Sequence, residues 1–416
     1  MRVIVMGAGV VGTTAAWYLS AAGHEVTVVD RQPAAGLETS FANGGQISVC
    51  HAEPWANPGA LPKLLKWIGH ESSPLLWRMR ADPAQWAWGL RFIRECTPAR
   101  TRANIIAILK LALHSRDCLQ ALRTELGLEY DHLARGILHV YTDAREFEHA
   151  IPQAELMRQY GCDRFVKTAE ECLQIEPALR HSTRPLVGGT YTADDESGDA
   201  HKFTQALAAR CAERGVVYRY GNAVTALQTQ AGQISGVRLD NGELLRADAY
   251  VVALGSYTPL LLRPLGLSLP IYPGKGYSAT LTLRDDAIAP SVSITDDGHK
   301  LVYSRFGNRL RVAGTAEFTG YDTSLNTVRC EALIRRTQAL FPLAVSDEPP
   351  EFWAGLRPAT PSNVPYVGQS RYDNLFVNSG HGTLGWTMSC GSGQLLADLV
   401  SGRAPAIDPA PYCVQG

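Results

Sequence analysis

Residues 2–12, Arg-Val-Ile-Val-Met-Gly-Ala-Gly-Val-Val-Gly, open a stretch that runs on to Val26-Thr27-Val28-Val29-Asp30, and its reading decides the fold. Val3, Ile4, Val5 and Met6 form a short apolar run of the kind found in a strand buried on both faces. Gly7-Ala8-Gly9-Val10-Val11-Gly12 then turns the chain, and Thr13, Thr14, Ala15, Ala16 and Trp17 begin a helix that reaches Ala22. Residues 26–29 are a second buried strand ending at Asp30, with Arg31 next to it. This is a complete βαβ dinucleotide fingerprint. Gly7 serves the tight turn, Gly9 lets the backbone approach a pyrophosphate, and Gly12 lets the helix close on the strand. The helix N-terminus offers free N–H groups and a positive dipole to the phosphates. Asp30, 18 residues after Gly12, is placed to accept from ribose hydroxyls. Residues 3–17, 30 and 31 are therefore expected to form the first limb of a nucleotide-cofactor site. The fingerprint alone leaves NAD and FAD both open.

Residues 3–22 carry no charge, a length that suits a membrane span or signal peptide. The three glycines argue against both and for strand, turn and helix. The whole chain of 416 residues has 45% apolar and 19% charged residues, enough to build a core and long enough for two or three domain-sized units. Its 39 Lys and Arg against 40 Asp and Glu give a net charge of −1, which argues against a nucleic-acid partner. Nine cysteines, an odd number without a CxxC pair, predict neither a disulfide framework nor a zinc or other metal site.

The stretch Glu38 to Ser48 is polar and glycine-rich, and Asn43, Gly44 and Gly45 suit a loop whose backbone lies against a ligand or an ordinary surface loop. Five of the eight tryptophans, Trp55, Trp67, Trp77, Trp86 and Trp88, fall in residues 53–100. Within it, Leu-Pro-Lys-Leu-Leu-Lys-Trp-Ile at 61–68 fits either a core-packed helix or a segment resting on a membrane surface. Long helices are expected at 101–127, stopped by Gly127, and at 200–214, capped near Ser197 or Asp199. Strand character follows at 216–220, 224–228, 234–240 and 250–254, with Asn241-Gly242 as a hairpin turn and Gly255 closing the last of them. Residues 270–318 alternate like a sheet. Near the C-terminus, a strand at 374–378 leads into Gly380-His381-Gly382-Thr383-Leu384-Gly385 and a helix at 387–400.

Four separated stretches together resemble the FAD-dependent amine and amino-acid oxidoreductases of the D-amino-acid oxidase type: GAGVVG at 7–12, ADAYVVALGSY at 247–257, GLRPATPSNVPYVG at 355–368 and NLFVNSGHGTLGWTMSCGSGQLLADLV at 374–400. More narrowly, TSFANGGQIS at 39–48, YPGKGYS at 272–278 and GHGTLGWTMSCGSGQ at 380–394 resemble the bacterial D-amino-acid dehydrogenases. The resemblance implies an α/β fold, with a Rossmann-like FAD-binding domain and an inserted α+β substrate domain on a mostly antiparallel sheet. The expected divisions are 1–50, 190–262 and 350–416 for FAD, and 51–189 with 263–349 for the substrate cap. A second strand–glycine–helix unit so far from the first suits an extended cofactor touched at both ends, and FAD is the cofactor expected. Gly255, Gly380, Gly382, Thr383, Leu384 and Gly385 join its site, the last helix facing negative charge near flavin N1 and O2.

The same resemblance gives Arg357, in Gly355-Leu356-Arg357-Pro358, the role of binding a substrate carboxylate through two parallel hydrogen bonds. Pro358 cannot extend a central strand, so Arg357 is expected at a strand end; read without the family, a surface ion pair is an equal alternative. Where the family's motif often continues Thr-Pro-Asp-Gly, this chain has Thr360-Pro361-Ser362-Asn363. Tyr272, Tyr277 and Tyr303 are candidates for lining the pocket, Lys275 for lying near the flavin ring, and His381 for bonding flavin or substrate or ordering its turn. The implied reaction is oxidation of a D-amino acid to a 2-oxo acid and ammonia, with hydride passing from Cα to flavin N5. Electrons then go to a quinone or another respiratory carrier, with peripheral attachment at the cytoplasmic side of the bacterial inner membrane, or a cytoplasmic location. The rivals are a glycine- or sarcosine-type oxidase using O2, an NAD-dependent dehydrogenase and a non-catalytic flavoprotein subunit.

Overall fold

The computed structural model describes residues 1–414 apart from 61, 63–69, 72, 286 and 287. The apolar–basic segment at 61–68 thus lies outside the described residues except for Pro62, and so does Trp67.

Arg2–Met6 forms the centre of a six-stranded sheet, paired in parallel on one side with Glu25–Asp30 and on the other with Ala249–Val252. Val217–Tyr220 extends it beyond Glu25–Asp30, and Leu375–Ser379 and the antiparallel Tyr366–Gln369 complete it beyond Ala249–Val252. Both faces of the central strand are covered, which explains its unbroken apolar run. On one face lie three helices: Val10–Ala21, Ala200–Glu213 and the terminal helix Gly385–Val400. The first helix starts at Val10, three residues earlier than its apolar pattern suggests, with Gly9 as its N-cap.

Two glycines of the last motif serve helix packing. A Cβ on Gly393 would come within 2.9 Å of the Thr14 backbone, and one on Gly391 within 2.8 Å of Ser115 in the long helix Pro98–Leu126. Thr14 Oγ1 donates to the Ser389 carbonyl at 2.9 Å, fixing the first and terminal helices together. Gly127, in the left-handed region at φ 59°, stops the long helix. Asp199 caps Ala200–Glu213 by accepting from the His201 and Lys202 amides.

A nine-stranded, mostly antiparallel sheet forms the second layer, from Glu351–Ala359 at one edge through Tyr272–Thr282 and Arg309–Phe318 to Arg164–Thr168 at the other. Two sequence divisions shift as a result. Gly188–Thr192 and Glu351–Ala359 are strands of this sheet, although the boundaries at 190 and 350 assign most of each to the nucleotide unit. Pro358 does not end its strand either: it sits within Glu351–Ala359, opposite Pro273. An edge strand tolerates the missing N–H, so the proline marks the edge instead of the end.

Candidate active site

A cavity of about 1410 Å³ runs between the two sheets. It begins where the fingerprint predicts. Gly7, Gly9, Val10, Val11, Asp30 and Arg31 line it, followed by Ser40, Asn43, Gly44 and Gly45, and it continues to Gly382, Thr383, Leu384 and Gly385. Gly7 and Gly12 are required by the protein itself: their added Cβ atoms would meet Ala253 O at 2.5 Å and Gly7 O at 1.9 Å. Gly9 is different. Its Cβ would meet only Ser40 Oγ, at 3.6 Å, so its bare backbone faces open cavity.

Val3, Ile4, Val5 and Met6 are core residues, and Ala8, Gly12, Thr13, Thr14, Ala15, Ala16 and Trp17 are buried, none of them lining the cavity. The expected contact stretch therefore shrinks to its turn and the first residues of the helix, because a helix turns the next side chains toward its packing partners. Asp30 accepts from the Ala8 amide at 2.6 Å and the Gln32 amide at 2.8 Å while lining the cavity, and burial holds its carboxyl above the usual range. Arg31 pairs with Glu38 and lies over the Tyr257 ring at 4.1 Å.

The polar loop is pinned between the layers. Asn43 Oδ1 accepts from the Gly45 amide, Ser304 Oγ donates to the Gly44 carbonyl at 2.7 Å, and a Cβ on Gly44 would strike Val302 at 2.4 Å. At the far end, the first turn of the terminal helix has no side-chain cap. Gly255 (φ 53°) faces open space at the cavity wall, whereas Gly380 (φ 86°) lies outside the lining and its Cβ would meet Thr360 at 2.7 Å. Asn378 also reaches the cavity, and neither atom of its buried amide has a hydrogen-bond partner among the described residues. Sequence reasoning passed over it. An amide near the end of the otherwise apolar strand Leu375–Ser379 was the signal. Two helix starts without an N-cap side chain, the first with its Val10 amide already bonded to Ser40 Oγ at 3.0 Å, together with a bare glycine backbone and an orphaned amide fit an extended dinucleotide with phosphates and a hydrogen-bonding ring.

Arg357 lines the same cavity. Its guanidinium donates to the carbonyls of Thr315 at 2.7 Å and Gly314 at 3.4 Å, and no carboxylate among the described residues pairs with it. Burial, with Arg329 nearby, lowers it to about 10, so it stays protonated at neutral pH. The hydroxyl of Thr315, missed in the sequence, is also unpartnered and on the wall.

Tyr277 borders the cavity, but its side chain is turned away from it: Gly276 takes the face that carries Arg357. The tyrosine is buried in the core, where its hydroxyl donates to Glu317 at 2.5 Å beside Arg78 and Lys275, so this ring does not fill the expected place over the cavity. Tyr303 does not reach it. The strand Leu301–Phe306 puts Val302 on the cavity and turns Tyr303 into the opposite core against Phe341. Its hydroxyl has no partner there. Tyr303→Phe should thus leave kcat and KM within about twofold and keep or slightly raise Tm, since it deletes an unsatisfied buried polar group; a large fall in activity would place that ring in the site after all. Tyr272 bonds Asp82, and Lys275 bonds Asp322 at 2.8 Å and the Ser324 carbonyl at 3.0 Å, so neither stands in the cavity wall.

His381 lines the cavity and is fixed by Ser392 Oγ at 3.0 Å. Burial pushes it from 6.5 down to about 3, so the imidazole is neutral throughout the physiological range. Below pH 6.5 the unfolded chain takes a proton that the folded one refuses, so stability falls as pH drops toward 3. Urea melts should lose about 1.4 kcal/mol per pH unit from this group, and His381→Gln should flatten that slope. An unchanged slope would refute the assignment.

The chain matches the model of the FAD dependent oxidoreductase (DAO) family over residues 2–399, and it belongs to that family. FAD is its cofactor. It is 64% identical over 409 residues to a D-amino acid dehydrogenase of Dechloromonas aromatica (strain RCB), covering 97% of this chain and 98% of that one. A D-amino acid dehydrogenase of Paramagnetospirillum magneticum is 57% identical over 408 residues, covering 98% and 96%. Among solved structures, glycine oxidase from Geobacillus kaustophilus superposes with a TM-score of 0.80 at 23% identity, covering 100% of this chain and 98% of that one, a likeness of fold.

Proposed function

We propose that this protein oxidises D-amino acids to 2-oxo acids and ammonia as an FAD-dependent dehydrogenase. The observation that carries the reading is Arg357, a protonated guanidinium on the cavity wall held, among the described residues, only by two backbone carbonyls. A substrate carboxylate supplies the missing counter-charge, and the rigid fork fixes its plane. Bound FAD supplies a two-electron acceptor that takes hydride from the substrate Cα at its N5. The residues of the chain supply position: Arg357 holds the carboxylate, and neutral His381 orders the turn beside the terminal helix. The first turn of that helix, which lines the cavity, would offer its amides to negative charge on the bound ring. The imine left behind is hydrolysed to the 2-oxo acid. The six-stranded sheet carries FAD and the nine-stranded sheet covers the substrate.

Electrons pass to a membrane quinone. The aromatic end of the cavity supports this half. Trp77, Trp88 and Phe92 line it, and the helix Pro83–Glu95 exposes Trp86 (49%), Leu90 (62%) and Ile93 (50%), residues that also line the cavity. Among the described residues no helix is long and apolar enough to cross a membrane, so contact with the cytoplasmic side of the inner membrane is peripheral. Anaerobic bleaching of the yellow protein tests the whole reading. D-alanine should reduce the flavin faster than L-alanine or sarcosine, and a quinone should reoxidise it. Preferential reduction by sarcosine, or peroxide released in step with turnover, favours an amine oxidase.

A further inference from the structure

Of the motif YPGKGYS at 272–278, Lys275 and Tyr277 turn their side chains away from the cavity, and Gly276 between them takes the face that lines it. Its strand, Tyr272–Thr282, runs between Glu351–Ala359 and Arg309–Phe318, with Gly274 opposite Arg357 and Gly276 opposite Gly355. Arg357 reaches diagonally across this middle strand, and its guanidinium lies on Gly276. A Cβ at Gly276 would stand 2.0 Å from Nη1, 2.2 Å from Cζ and 2.4 Å from Nη2, so the three nearest atoms all belong to Arg357. From this seat the arginine, partly exposed, lines the cavity.

The strand on the far side is bulged where the guanidinium meets it. Pairing slips between Lys275 opposite Glu317 and Tyr277 opposite Gly314, so Thr315 and Ala316 together face Gly276 alone. Thr315 sits in the left-handed region at φ 53°, an uncommon conformation for a β-branched residue and one that a bulge next to a binding site sustains. At this bulge the carbonyls of Thr315 and Gly314 accept from Nη1 and Nη2 at 2.7 and 3.4 Å. The neighbouring Gly355 is covered by the Trp353 ring, which a Cβ there would meet at 1.9 Å, so the open floor beneath the guanidinium is Gly276.

We propose that Gly276, together with the bulge at Thr315, is a positioning element that aims Arg357 at the substrate carboxylate. The inference rests on the reading of Arg357 as the carboxylate grip. A bare Cα gives the planar guanidinium its floor, and the two carbonyls fix its rotation. The N–H groups they leave free are then presented to a carboxylate before it arrives, so little ordering is left to the moment of binding. A side chain at position 276 lifts the fork off this floor and away from both carbonyls. Such a shift matters, because misplacement by about 1 Å can cost on the order of 10²-fold. Gly276 thus acts through Arg357, which accounts for a glycine between two large residues that face the other way.

Gly276→Ala tests this. Gly276 lies outside the left-handed region, so alanine suits its backbone, and the atoms that the methyl displaces are those of Arg357. Titrating the holoenzyme with propionate, which is D-alanine without its amine, and following the flavin absorbance gives a Kd that needs no turnover. That Kd should weaken by roughly 10–100-fold. In anaerobic flavin reduction the half-saturating D-alanine concentration should rise as much, with the limiting rate kept within about threefold. Combined with Arg357→Ala, Gly276→Ala should lower kcat/KM no further, because the group it displaces is gone. If Gly276→Ala alone does not fold, the double variant should fold and hold FAD for the same reason. Propionate bound by Gly276→Ala as well as by wild type overturns the proposal, as do additive losses in the double variant or its failure to fold. Wild-type protein that binds no propionate, or binds it equally well after Arg357→Ala, overturns the carboxylate grip itself and the proposal with it.

Discussion

Arg357→Ala should lower kcat/KM for D-alanine by on the order of 10²–10³-fold, most of it as a rise in KM. The estimate follows from the site. Truncating one partner of a buried charge pair costs about 2–5 kcal/mol, and each 1.4 kcal/mol is a factor of ten. Among the described residues Arg357 bonds only the carbonyls of Gly314 and Thr315, so the guanidinium has donors left for a carboxylate, and its removal strands no anion among them. The folded protein should therefore survive with its flavin absorbance intact, which separates lost binding from lost structure. Arg357→Lys keeps the charge but not the planar fork and should recover only part of the loss. Amines that lack a carboxylate should be oxidised equally poorly by both proteins. A KM for D-alanine unchanged in Arg357→Ala would remove this residue from the site and with it the main support for an amino-acid substrate.

The glycine turn was legible because its signals are local, whereas Arg357 took its expected role from the resemblance to a family. Strand, turn, helix and acidic strand end lie within thirty consecutive residues, and the hydrogen bonds that define them are short-range. The tyrosines show where local reading stops. Tyr277 and Tyr303 have the same chemistry and both lie in strands, yet both side chains turn into the core behind the wall, and their neighbours Gly276 and Val302 take the cavity face. A shift of one residue in register exchanges the faces, and register is set by distant partners such as the Tyr303–Val312 pairing. Lys275 illustrates the same limit, since the motif around it is clear and the direction of its side chain is not. The buried contact of Cys50, His139 and Asp297 was invisible for a stronger reason: parallel pairing of Ile137–Tyr141 with Ser293–Asp296 brings Asp297 to His139, and Cys50 arrives from a third, distant segment. Asn378 lay between these extremes, visible as an anomaly in an apolar strand but silent about what it faces.

The fingerprint glycines make a sharper test of the cofactor site than any side chain, because two of them should fail differently. Gly12→Ala puts a methyl carbon 1.9 Å from the Gly7 carbonyl oxygen and 2.9 Å from its carbon, both backbone atoms of the turn itself. The helix must move off the strand, at an overpacking cost of about 1–3 kcal/mol or more, so this variant should lose stability even without FAD and should purify colourless. Gly9→Ala meets only Ser40 Oγ at 3.6 Å, and its backbone at φ −69° and ψ 176° suits any residue. The apoprotein should accordingly melt like wild type. With FAD, however, the new methyl stands where the bare backbone faces the cavity, and the same steric cost appears in binding as a Kd weakened by roughly 10–100-fold. Denaturant melts of the apoproteins beside FAD titrations followed by flavin fluorescence separate the two outcomes. Equal losses of apoprotein stability in both variants would mean that Gly9 is also a packing glycine; an unchanged FAD affinity in Gly9→Ala would mean that the pyrophosphate does not approach the first helix at this residue.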